Sequence, residues 1–281
     1  MSFELPHVVV DKIVDIALYE DLSAGDLTTE ACIDPAAEAV AHAVARKELV
    51  ACGGPVYRRV FQRVDPSLEV TDAVQEGALA QPGARLWTVR GRARAILMGE
   101  RTALNLVQRM SAIATMTRTY VNALPSGSKT RITDTRKTTP GLRALERYAV
   151  RAGGGKNHRD NLGSAVLIKD NHVRAAGGVA AAIRRARDHA PHTGRIECEV
   201  DSLAQLDEAL EAGADIVLLD NMSTADVTEG VRRARGKALI EASGGITLAR
   251  IVELAGAGVD AISIGALTLS APSVDIGLDF E

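Results

Sequence analysis

In the second half of the chain, short apolar runs recur, and each run ends in polar residues. They cover residues 131–134, 165–169, 196–200, 215–220, 238–241 and 260–265, and the last four begin 19 to 23 residues apart. Segments of helical length separate them, and strand–helix repetition at this spacing is typical of right-handed βαβ units in a parallel sheet. Six or seven such units favour a closed barrel over an open sheet.

The first half of the chain has a different pattern, which is α+β in character. Apolar spacing predicts helices over residues 8–19 and 54–64 and strands over 38–51, 68–74 and 85–89. A helical pattern then runs over residues 93–124. It is too long for one ordinary helix, so we predict a break near Ser111 and Ala112, in a segment that joins two domains.

Composition limits the class of protein. Of the 281 residues 46% are hydrophobic and only 3% aromatic, which suits a core of small aliphatic side chains between helices and a buried parallel sheet. Cys32, Cys52 and Cys198 lie far apart, so we expect buried structural thiols in a reducing compartment rather than disulfides or a zinc site. The first 21 residues carry five acids and one lysine. This charge layout opposes a signal peptide, and the absence of an apolar run near ~20 residues opposes a membrane span, so we expect a cytoplasmic protein.

Charge is distributed unevenly along the chain. Residues 131–172 carry six arginines, three lysines and four acids, a local balance of +5 in a protein with a formal net charge of −3. A nucleic-acid-binding protein is more often basic overall or along a whole face. The local excess therefore predicts a pocket for small, highly charged anions and no nucleic-acid partner.

Several predicted strands end in residues that carry chemistry. Lys169, Glu199, Asp220 and the segment Ser243-Gly244-Gly245 follow successive apolar runs. The carboxyl ends of barrel strands share one mouth, so we expect these residues to meet there. This coincidence is the main argument from the residues alone for an active site.

The cationic residues suit anionic groups. Arg136 and Arg159 each offer a planar fork that matches a carboxylate or phosphate, and His158 and Lys169 add further donors. Surface ion pairs with nearby acids are the alternative for the two arginines. An unpaired buried ammonium is costly, so Lys169 at the end of an apolar strand favours a functional role.

The acidic residues and glycine loops have two interpretations each. Glu199 and Asp220 suit Mg²⁺ bound to a phosphorylated substrate or hydrogen bonds to ribose hydroxyls, but a helix cap or an ion pair with a lysine explains each as well. The segments Ser243-Gly244-Gly245 and Ile264-Gly265-Ala266 suit a phosphate cradle, with ordinary turns as the alternative.

Longer motifs resemble the quinolinate phosphoribosyltransferase family along essentially the whole chain. The central motifs are residues 134–143 (DTRKTTPGLR), 153–159 (GGGKNHR), 167–172 (LIKDNH), 197–201 (ECEVD) and 218–221 (LLDN). The flanking ones are residues 20–21 (ED), 25–29 (GDLTT), 99–105 (GERTALN) and 242–245 (ASGG).

The resemblance implies an N-terminal α/β sandwich domain over residues 1–109, completed by about 270–281, and an incomplete TIM-like α/β barrel over 110–269 that carries the active site. It implies a homodimer or larger homo-oligomer with shared sites. The implied reaction is phosphoribosyl transfer from phosphoribosyl diphosphate to quinolinate with decarboxylation. Its products are nicotinate mononucleotide, CO₂ and diphosphate, with Mg²⁺ required, in de novo NAD synthesis.

The resemblance implies a role for each residue that matches a functional position of the family. Arg136, His158, Arg159 and Lys169 match ligands of the quinolinate carboxylates, and Arg101 matches an arginine donated across the dimer. The remaining matches are Thr135 and Lys137 for substrate and diphosphate, Glu199 and Asp220 for ribose and metal, and Ser243, Gly244, Gly245, Ile264, Gly265 and Ala266 for the 5′-phosphate. The catalytic candidates among them are Lys137, Lys169, Glu199 and Asp220.

The chain departs from the family pattern at three positions. Ser164 stands where an aspartate is usual, Leu269 where many members have a histidine, and Ala112 where a glycine is usual. The departure at Leu269 affects one phosphate contact. All three lie outside the cationic set, so we expect activity to be retained.

Two other functions are compatible with parts of the sequence. Lys169 at a barrel strand end suits Schiff-base chemistry of the class I aldolase kind, although the many arginines oppose it. A molybdenum-utilisation paralogue of the same family is the non-catalytic alternative. That group tends to lose the Lys-Asp-Asn-His motif, which this chain keeps at residues 169–172.

Overall fold

The structure is a computed structural model that describes residues 5–281. Residues 1–4, which include Glu4 of the acidic N-terminal segment, lie outside the described residues. Within residues 5–281 the helices are α1 (His7–Leu22), α2 (Leu27–Cys32), α3 (Gly54–Val64), α4 (Ala93–Asn122), α5 (Arg143–Ala152), α6 (Asp170–Ala176), α7 (Val179–His189), α8 (Leu203–Glu211), α9 (Thr224–Ala234), α10 (Leu248–Ala257) and α11 (Ala266–Leu269). The strands are β1 (Glu38–Ala45), β2 (Leu49–Val50), β3 (Glu69–Asp72), β4 (Leu79–Ala80), β5 (Arg85–Arg92), β6 (Arg131–Thr133), β7 (Val166–Ile168), β8 (Ile196–Val200), β9 (Ile216–Asp220), β10 (Leu239–Ser243), β11 (Ala261–Ser263) and β12 (Ile276–Phe280).

These elements form two compact units. The first contains the chain up to Arg118 together with Lys137–Gly154 and Ala266–Glu281. The second contains Thr119–Arg136 and Gly155–Gly265. Each unit has its own sheet, antiparallel in the first and parallel in the second.

The first unit is built on an antiparallel sheet in the strand order β12-β1-β5-β3. The last strand of the chain joins it by pairing with β1, so that Ala41 lies opposite Phe280. Inside this unit the aromatic rings of Tyr57 and Trp87 stack with centroids 5.1 Å apart, and both side chains are buried. With so few aromatic residues in the chain, this pair and Phe61 supply an unusual share of the unit's bulky core.

The long helical segment has no break. Helix α4 runs through 30 residues, so the prediction of an interruption near Ser111 and Ala112 is wrong. Ser111 is fully buried, and its hydroxyl accepts a hydrogen bond from the Cys52 N–H and donates one to the Cys52 carbonyl, each at 3.1 Å. A polar side chain satisfied in this way is compatible with a continuous helix, and no proline interrupts the segment.

The second unit confirms the parallel sheet. Its six strands lie in the order β6-β11-β10-β9-β8-β7, with helices α6 to α10 in the connections between β7 and β11. Strands β6 and β7 are the two ends of this order, so the described residues form an incomplete barrel rather than the closed one that the strand count alone favoured. Six strands are fewer than the eight that usually close such a barrel.

The outer edge of β6 is partly covered by the chain that follows the glycine-rich segment. The Lys156 N–H donates to the Ile132 carbonyl at 2.8 Å, and the Lys156 carbonyl accepts from the Asp134 N–H at 3.2 Å. These bonds form an isolated parallel bridge between Thr133 and Lys156. They place residues 157–159 beside the carboxyl end of β6.

The structure shows where the three cysteines lie and whether any helix could span a membrane. Cys52 and Cys198 are buried as predicted, but Cys32 is exposed at the end of α2, so the prediction of a buried thiol is wrong there. All three are free cysteines. Among residues 5–281 we find no helix with both the length and the apolar character that crossing a bilayer requires.

Gly153 provides a test of packing in the first unit. A methyl group at this position would lie 2.5 Å from the Ala114 carbonyl oxygen and 2.6 Å from Thr117 Cβ. We therefore expect Gly153→Ala to lower the free energy of unfolding by about 1–3 kcal/mol through overpacking. The measurement is chemical denaturation monitored by circular dichroism.

Gly256, in α10, is the matched control because nothing lies within 4 Å of a methyl group added there. Gly256→Ala should be neutral or stabilise by up to about 1 kcal/mol. Equal effects of the two substitutions would contradict the packing argument.

Candidate active site

One face of the parallel sheet gathers the polar residues of the strand ends. The register places Glu199, Leu218 and Glu241 opposite one another across β8, β9 and β10. The same register pairs Asp220 with Ser243. Alternate residues of a strand point to the same face, so Glu197, Glu199, Asp220, Glu241 and Ser243 all lie on it. These residues therefore share one face of the sheet, with Asp220 and Ser243 at the carboxyl ends of β9 and β10.

Lys169 and Glu199 form an ion pair at the end of β7 and β8. Lys169 Nζ lies 3.4 Å from Glu199 Oε2. The Lys169 side chain is 48% exposed, so the expectation of a costly buried ammonium is wrong, because the strand ends at Ile168 and the side chain extends to solvent. The Lys169 N–H also donates to His172 Nδ1 at 2.9 Å, which fixes the start of α6.

Arg136 and Arg159 lie close to each other in the second unit, and each is partly buried. Burial and the charge of Arg136 both lower the pKa of Arg159, while Glu197 opposes this effect. The Arg159 Nη1 donates to the Ala165 carbonyl at 3.1 Å, which holds the guanidinium against the chain before β7. Two guanidiniums in one partly buried region form a site suited to an anion of more than one charge.

The segment that carries His158 and Arg159 is held by Asp134. Asp134 is fully buried, its Oδ1 accepts the His158 N–H at 2.7 Å, and its Oδ2 accepts from Asn157 Nδ2 at 2.6 Å. Both carboxylate oxygens thus bond residues 157–158, which fixes the backbone immediately before Arg159.

The His158 ring contacts the protein on both of its nitrogens. Nδ1 accepts the Arg159 N–H at 2.8 Å. Nε2 lies 3.1 Å from Glu197 Oε2 and 3.6 Å from Glu241 Oε1. His158 was predicted to bind a quinolinate carboxylate. In this structure its ring nitrogens face protein groups instead, and that role stays a prediction.

His158, Glu197 and Glu241 also have the composition of a metal-binding group, with ligand atoms within 4.8 Å of one another. The hydrogen bonding of the ring opposes this function. Because Nδ1 accepts a backbone N–H, the ring proton belongs on Nε2, which then lacks the lone pair that a metal ligand needs. We interpret the group as a hydrogen-bonded cluster of one imidazole and two carboxyl groups.

Burial and charge shift the protonation of this cluster. Burial and the neighbouring Glu197 raise the pKa of Glu241 to about 7, although His158 opposes the shift. For His158, burial lowers the pKa, but Glu197, Glu241 and Asp134 together outweigh it and leave the pKa above its usual value. The cluster therefore retains a proton near neutral pH.

The predicted phosphate loop after β10 has a glycine that its geometry requires. Gly244 has a φ of 87°, and a methyl group there would lie 2.2 Å from Asn221 Oδ1. Asn221 itself has a φ of 55°, and its Nδ2 donates to Asp220 Oδ2 at 2.9 Å. Ser243, Gly244 and Gly245 are thus in a tight turn against the end of β9, with Thr247 capping α10 just beyond.

The other loop consists of Ile264 and Gly265, which end the second unit, and Ala266, which begins α11 in the first. Thr135 also belongs to the second unit.

Two predicted residues belong to the first unit. Lys137 is exposed, and its carbonyl accepts the Thr268 hydroxyl at 2.7 Å. Arg101 lies on α4, is exposed, and lines an open cavity of about 320 Å³ with Asp21, Gly25 and Asp26. Asp21 and Asp26 belong to the motifs at residues 20–21 and 25–29, which contribute to the family resemblance.

Sequence reasoning missed Asp134, Glu197 and Glu241 as members of the site. Each is at most 5% exposed, although a carboxylate is rarely buried unless it has partners. The alternation of Glu197 with Glu199 on one strand was a usable signal, because residues two apart share a face. For Glu241, only the pairing of β10 with β9 shows which face it occupies.

Comparison with known proteins gives a consistent result along the chain. The family model for the quinolinate phosphoribosyl transferase N-terminal domain matches residues 26–111, and the model for the C-terminal domain matches residues 113–279. Together they account for nearly the whole sequence. The chain belongs to the quinolinate phosphoribosyltransferase family.

Individual relatives agree with the family models. The chain is 46% identical over 269 residues to the nicotinate-nucleotide pyrophosphorylase [carboxylating] of Mycobacterium leprae, covering 94% of each chain. It is 40% identical over 282 residues to the Homo sapiens protein of the same name, with 99% of this chain and 94% of the relative covered. The crystal structure of NadC from Streptococcus pyogenes superposes with a TM-score of 0.94 at 39% identity, with 100% of both chains covered. The fold class and the resemblance drawn from the motifs are confirmed.

The three departures from the family pattern have local structural consequences. Ser164 Oγ accepts the N–H groups of Asp160 and Asn161 at 3.0 and 3.2 Å and closes the turn after Arg159. Ala112 is buried within α4, and Leu269 is exposed at the end of α11. None of them bonds the cationic residues directly among the contacts of the described chain.

The buried cluster predicts a pH dependence of stability. Because the folded-state pKa of Glu241 is raised from 4.5 to about 7, the folded state binds more protons than the unfolded state between these values. The stability that this proton provides is fully present below pH 4.5 and is lost as the pH rises through about 7.

We therefore expect the free energy of unfolding of the wild-type chain to fall, relative to that of Glu241→Gln, as the pH rises across this interval. Denaturant titrations of both chains at several pH values measure the difference. Parallel pH profiles for the two chains would contradict the shifted pKa.

Proposed function

We propose that this chain transfers the phosphoribosyl group of phosphoribosyl diphosphate to quinolinate with loss of CO₂, giving nicotinate mononucleotide and diphosphate for de novo NAD synthesis. Family membership supports the reaction class. The observation that carries the proposal is the set of cations in the second unit: Arg136 follows β6 and its charge acts on Arg159, and Lys169 follows β7 and contacts Glu199. A pyridine dicarboxylate supplies the negative charges that such a site binds.

Binding and orientation account for most of the catalysis that we propose. The guanidiniums of Arg136 and Arg159 and the ammonium of Lys169 bind the two substrate carboxylates and orient the ring nitrogen toward the sugar. Lys169 exchanges its contact with Glu199 for one with the substrate. No covalent bond between substrate and protein is needed.

The chemical steps follow from this orientation. Departure of diphosphate, assisted by the cation of Lys137, leaves positive charge on the ribose, which the carboxylates of Glu199 and Asp220 stabilise. The pyridine nitrogen attacks the ribose and becomes a pyridinium. Loss of the C2 carboxylate as CO₂ leaves the bonding electron pair on C2, where the adjacent pyridinium nitrogen stabilises it. A proton taken up from solvent at C2 then completes nicotinate mononucleotide. Backbone N–H groups of the loops at residues 243–245 and 264–266 are proposed to bind the 5′-phosphate.

The ion pair of Lys169 disfavours the Schiff-base alternative. Formation of a Schiff base requires a neutral amine. Lys169 Nζ instead forms an ion pair with Glu199 Oε2 at 3.4 Å. The same contact is what a carboxylate-binding lysine adopts in the absence of substrate.

Mg²⁺ is part of the proposal. Glu199 and Asp220 offer carboxylate oxygens on one face of the sheet, and oxygen donors are what Mg²⁺ prefers. Neither residue belongs to a group of three possible protein ligands among residues 5–281. Glu199 and Asp220 would therefore hold the ion together with substrate phosphates, and the ion would supply charge neutralisation for the leaving diphosphate.

We also propose a homodimer or larger homo-oligomer in which Arg101 completes a neighbouring site, and a reducing, cytoplasmic location. Arg101 is exposed, and so are the apolar residues Val8, Ile16 and Leu27 of the same unit, which suits an interface. The three free cysteines support the reducing compartment.

The cationic residues give the most direct test of function. We expect Arg136→Ala and Lys169→Ala each to reduce quinolinate turnover by orders of magnitude, on the order of 2–4 kcal/mol of transition-state stabilisation, while the circular dichroism spectrum is unchanged. The assay follows phosphoribosyl-diphosphate-dependent formation of nicotinate mononucleotide.

Lys237→Ala is the control for loss of a lysine. Lys237 is exposed and precedes β10, at the opposite end of the sheet strands from Lys169, so its removal should leave turnover unchanged. Undiminished turnover in either site variant would show that the assigned roles are wrong.

Metal removal tests the second part of the proposal. Treatment with EDTA should abolish turnover, and added Mg²⁺ should restore it in the wild-type chain. Glu199→Gln and Asp220→Asn should each raise the Mg²⁺ concentration needed for half-maximal rate, because each loses a charged oxygen donor. A rate independent of Mg²⁺ in the wild-type chain would overturn this part.

A further inference from the structure

Three buried carboxylates from three different strands converge on one short segment of the second unit. Asp134 follows β6, Glu197 lies on β8 and Glu241 lies on β10. Their exposures are 0%, 5% and 5%. The segment that they contact is Asn157–His158, directly before Arg159.

Two of these carboxylates have evident structural functions. Asp134 bonds the His158 N–H and the Asn157 side chain. Glu197 approaches His158 Nε2 with both oxygens, at 3.1 and 3.4 Å. Each therefore contributes close hydrogen bonds to the segment.

Glu241 differs from them. Its Oε1 makes no hydrogen bond among the contacts of residues 5–281 and lies 3.6 Å from His158 Nε2, while the Ser263 side chain is another polar neighbour of this carboxyl group. A buried carboxyl group without a close ionic partner is costly to fold. This cost is understandable if the position of His158 matters to the site on the sheet face.

The orientation of the His158 ring affects that of the Arg159 backbone. Nδ1 accepts the Arg159 N–H, so a rotation of the ring away from the two glutamates breaks the bond that orients the Arg159 backbone. The Arg159 guanidinium in turn lies near that of Arg136. A chain of direct contacts thus links Glu241 to the pair of guanidiniums.

We propose that Glu241 is a positioning residue for quinolinate binding: with Glu197 it fixes the His158 ring, and thereby the Arg159 guanidinium beside Arg136. The inference rests on the proposed function. Glu241 does not contact substrate in this account, and its effect is specific to the dicarboxylate rather than to phosphoribosyl diphosphate.

The experiment compares Glu241→Ala with Glu241→Gln by steady-state kinetics with each substrate varied in turn. Residues that orient metal ligands typically contribute 10–100-fold to affinity, and by analogy we expect Glu241→Ala to raise the KM for quinolinate by at least about tenfold. The KM for phosphoribosyl diphosphate should be unchanged and kcat should change little. Glu241→Gln should restore most of the quinolinate affinity, since its amide oxygen can occupy the position of Oε1 beside His158 Nε2 and keeps the volume of the side chain.

Two controls separate positioning from a general loss of structure. Ile240→Val removes a buried methylene from the adjacent residue of β10, on the opposite face, and should lower Tm without changing either KM. In a His158→Ala background, Glu241→Ala should have no further effect on the KM for quinolinate, because the contact chain is already broken.

Several results would overturn the proposal. These are an unchanged KM for quinolinate in Glu241→Ala, an equal rise in both KM values, or a Glu241→Gln variant as impaired as Glu241→Ala. If the wild-type chain does not convert quinolinate and phosphoribosyl diphosphate at all, the proposed function is contradicted instead. In that case calorimetric titration with quinolinate still tests the role of Glu241. The wild-type chain should bind quinolinate more tightly than Glu241→Ala, and equal affinities would overturn the proposal.

Discussion

The contact between three buried carboxylates and the segment before Arg159 is the constraint on which the candidate site depends. Asp134, Glu197 and Glu241 are buried in the second unit. Asn157 and His158 are among the residues that contact them. Removal of one partner from such a buried set typically costs 3–5 kcal/mol, so the arrangement resists rearrangement. The cationic residues that follow are therefore held in a fixed geometry.

This arrangement separates two layers of charge. Asp134, Glu197 and Glu241 are buried, whereas Arg136 and Arg159 are partly buried and Lys169 is exposed, within a segment whose local charge balance over residues 131–172 is +5. Lys169 contacts Glu199, and because the Lys169 side chain is 48% exposed, replacing this ion pair by one with a substrate carboxylate costs little. A rigid cationic surface of this kind discriminates by the number and placement of negative charges.

The sequence predicted the positions of helices and strands better than it predicted which side chains contact one another. Apolar periodicity located α3 and the six parallel strands closely, and strand ends pointed to Lys169, Glu199 and Asp220 because parallel strands end together. It did not predict that α4 continues past Ser111, since the hydrogen bonds to Cys52 come from a distant segment. Nor did it identify Asp134 and Glu241, because burial and the position of His158 depend on packing between strands far apart in the chain.

The most direct measurement is the affinity of the protein for quinolinate compared with nicotinate, which lacks the second carboxylate, by isothermal titration calorimetry. If the fixed guanidiniums recognise a dianion, quinolinate should bind at least about tenfold more tightly, a difference of ~1.4 kcal/mol or more. Equal affinities for the two ligands would contradict the account.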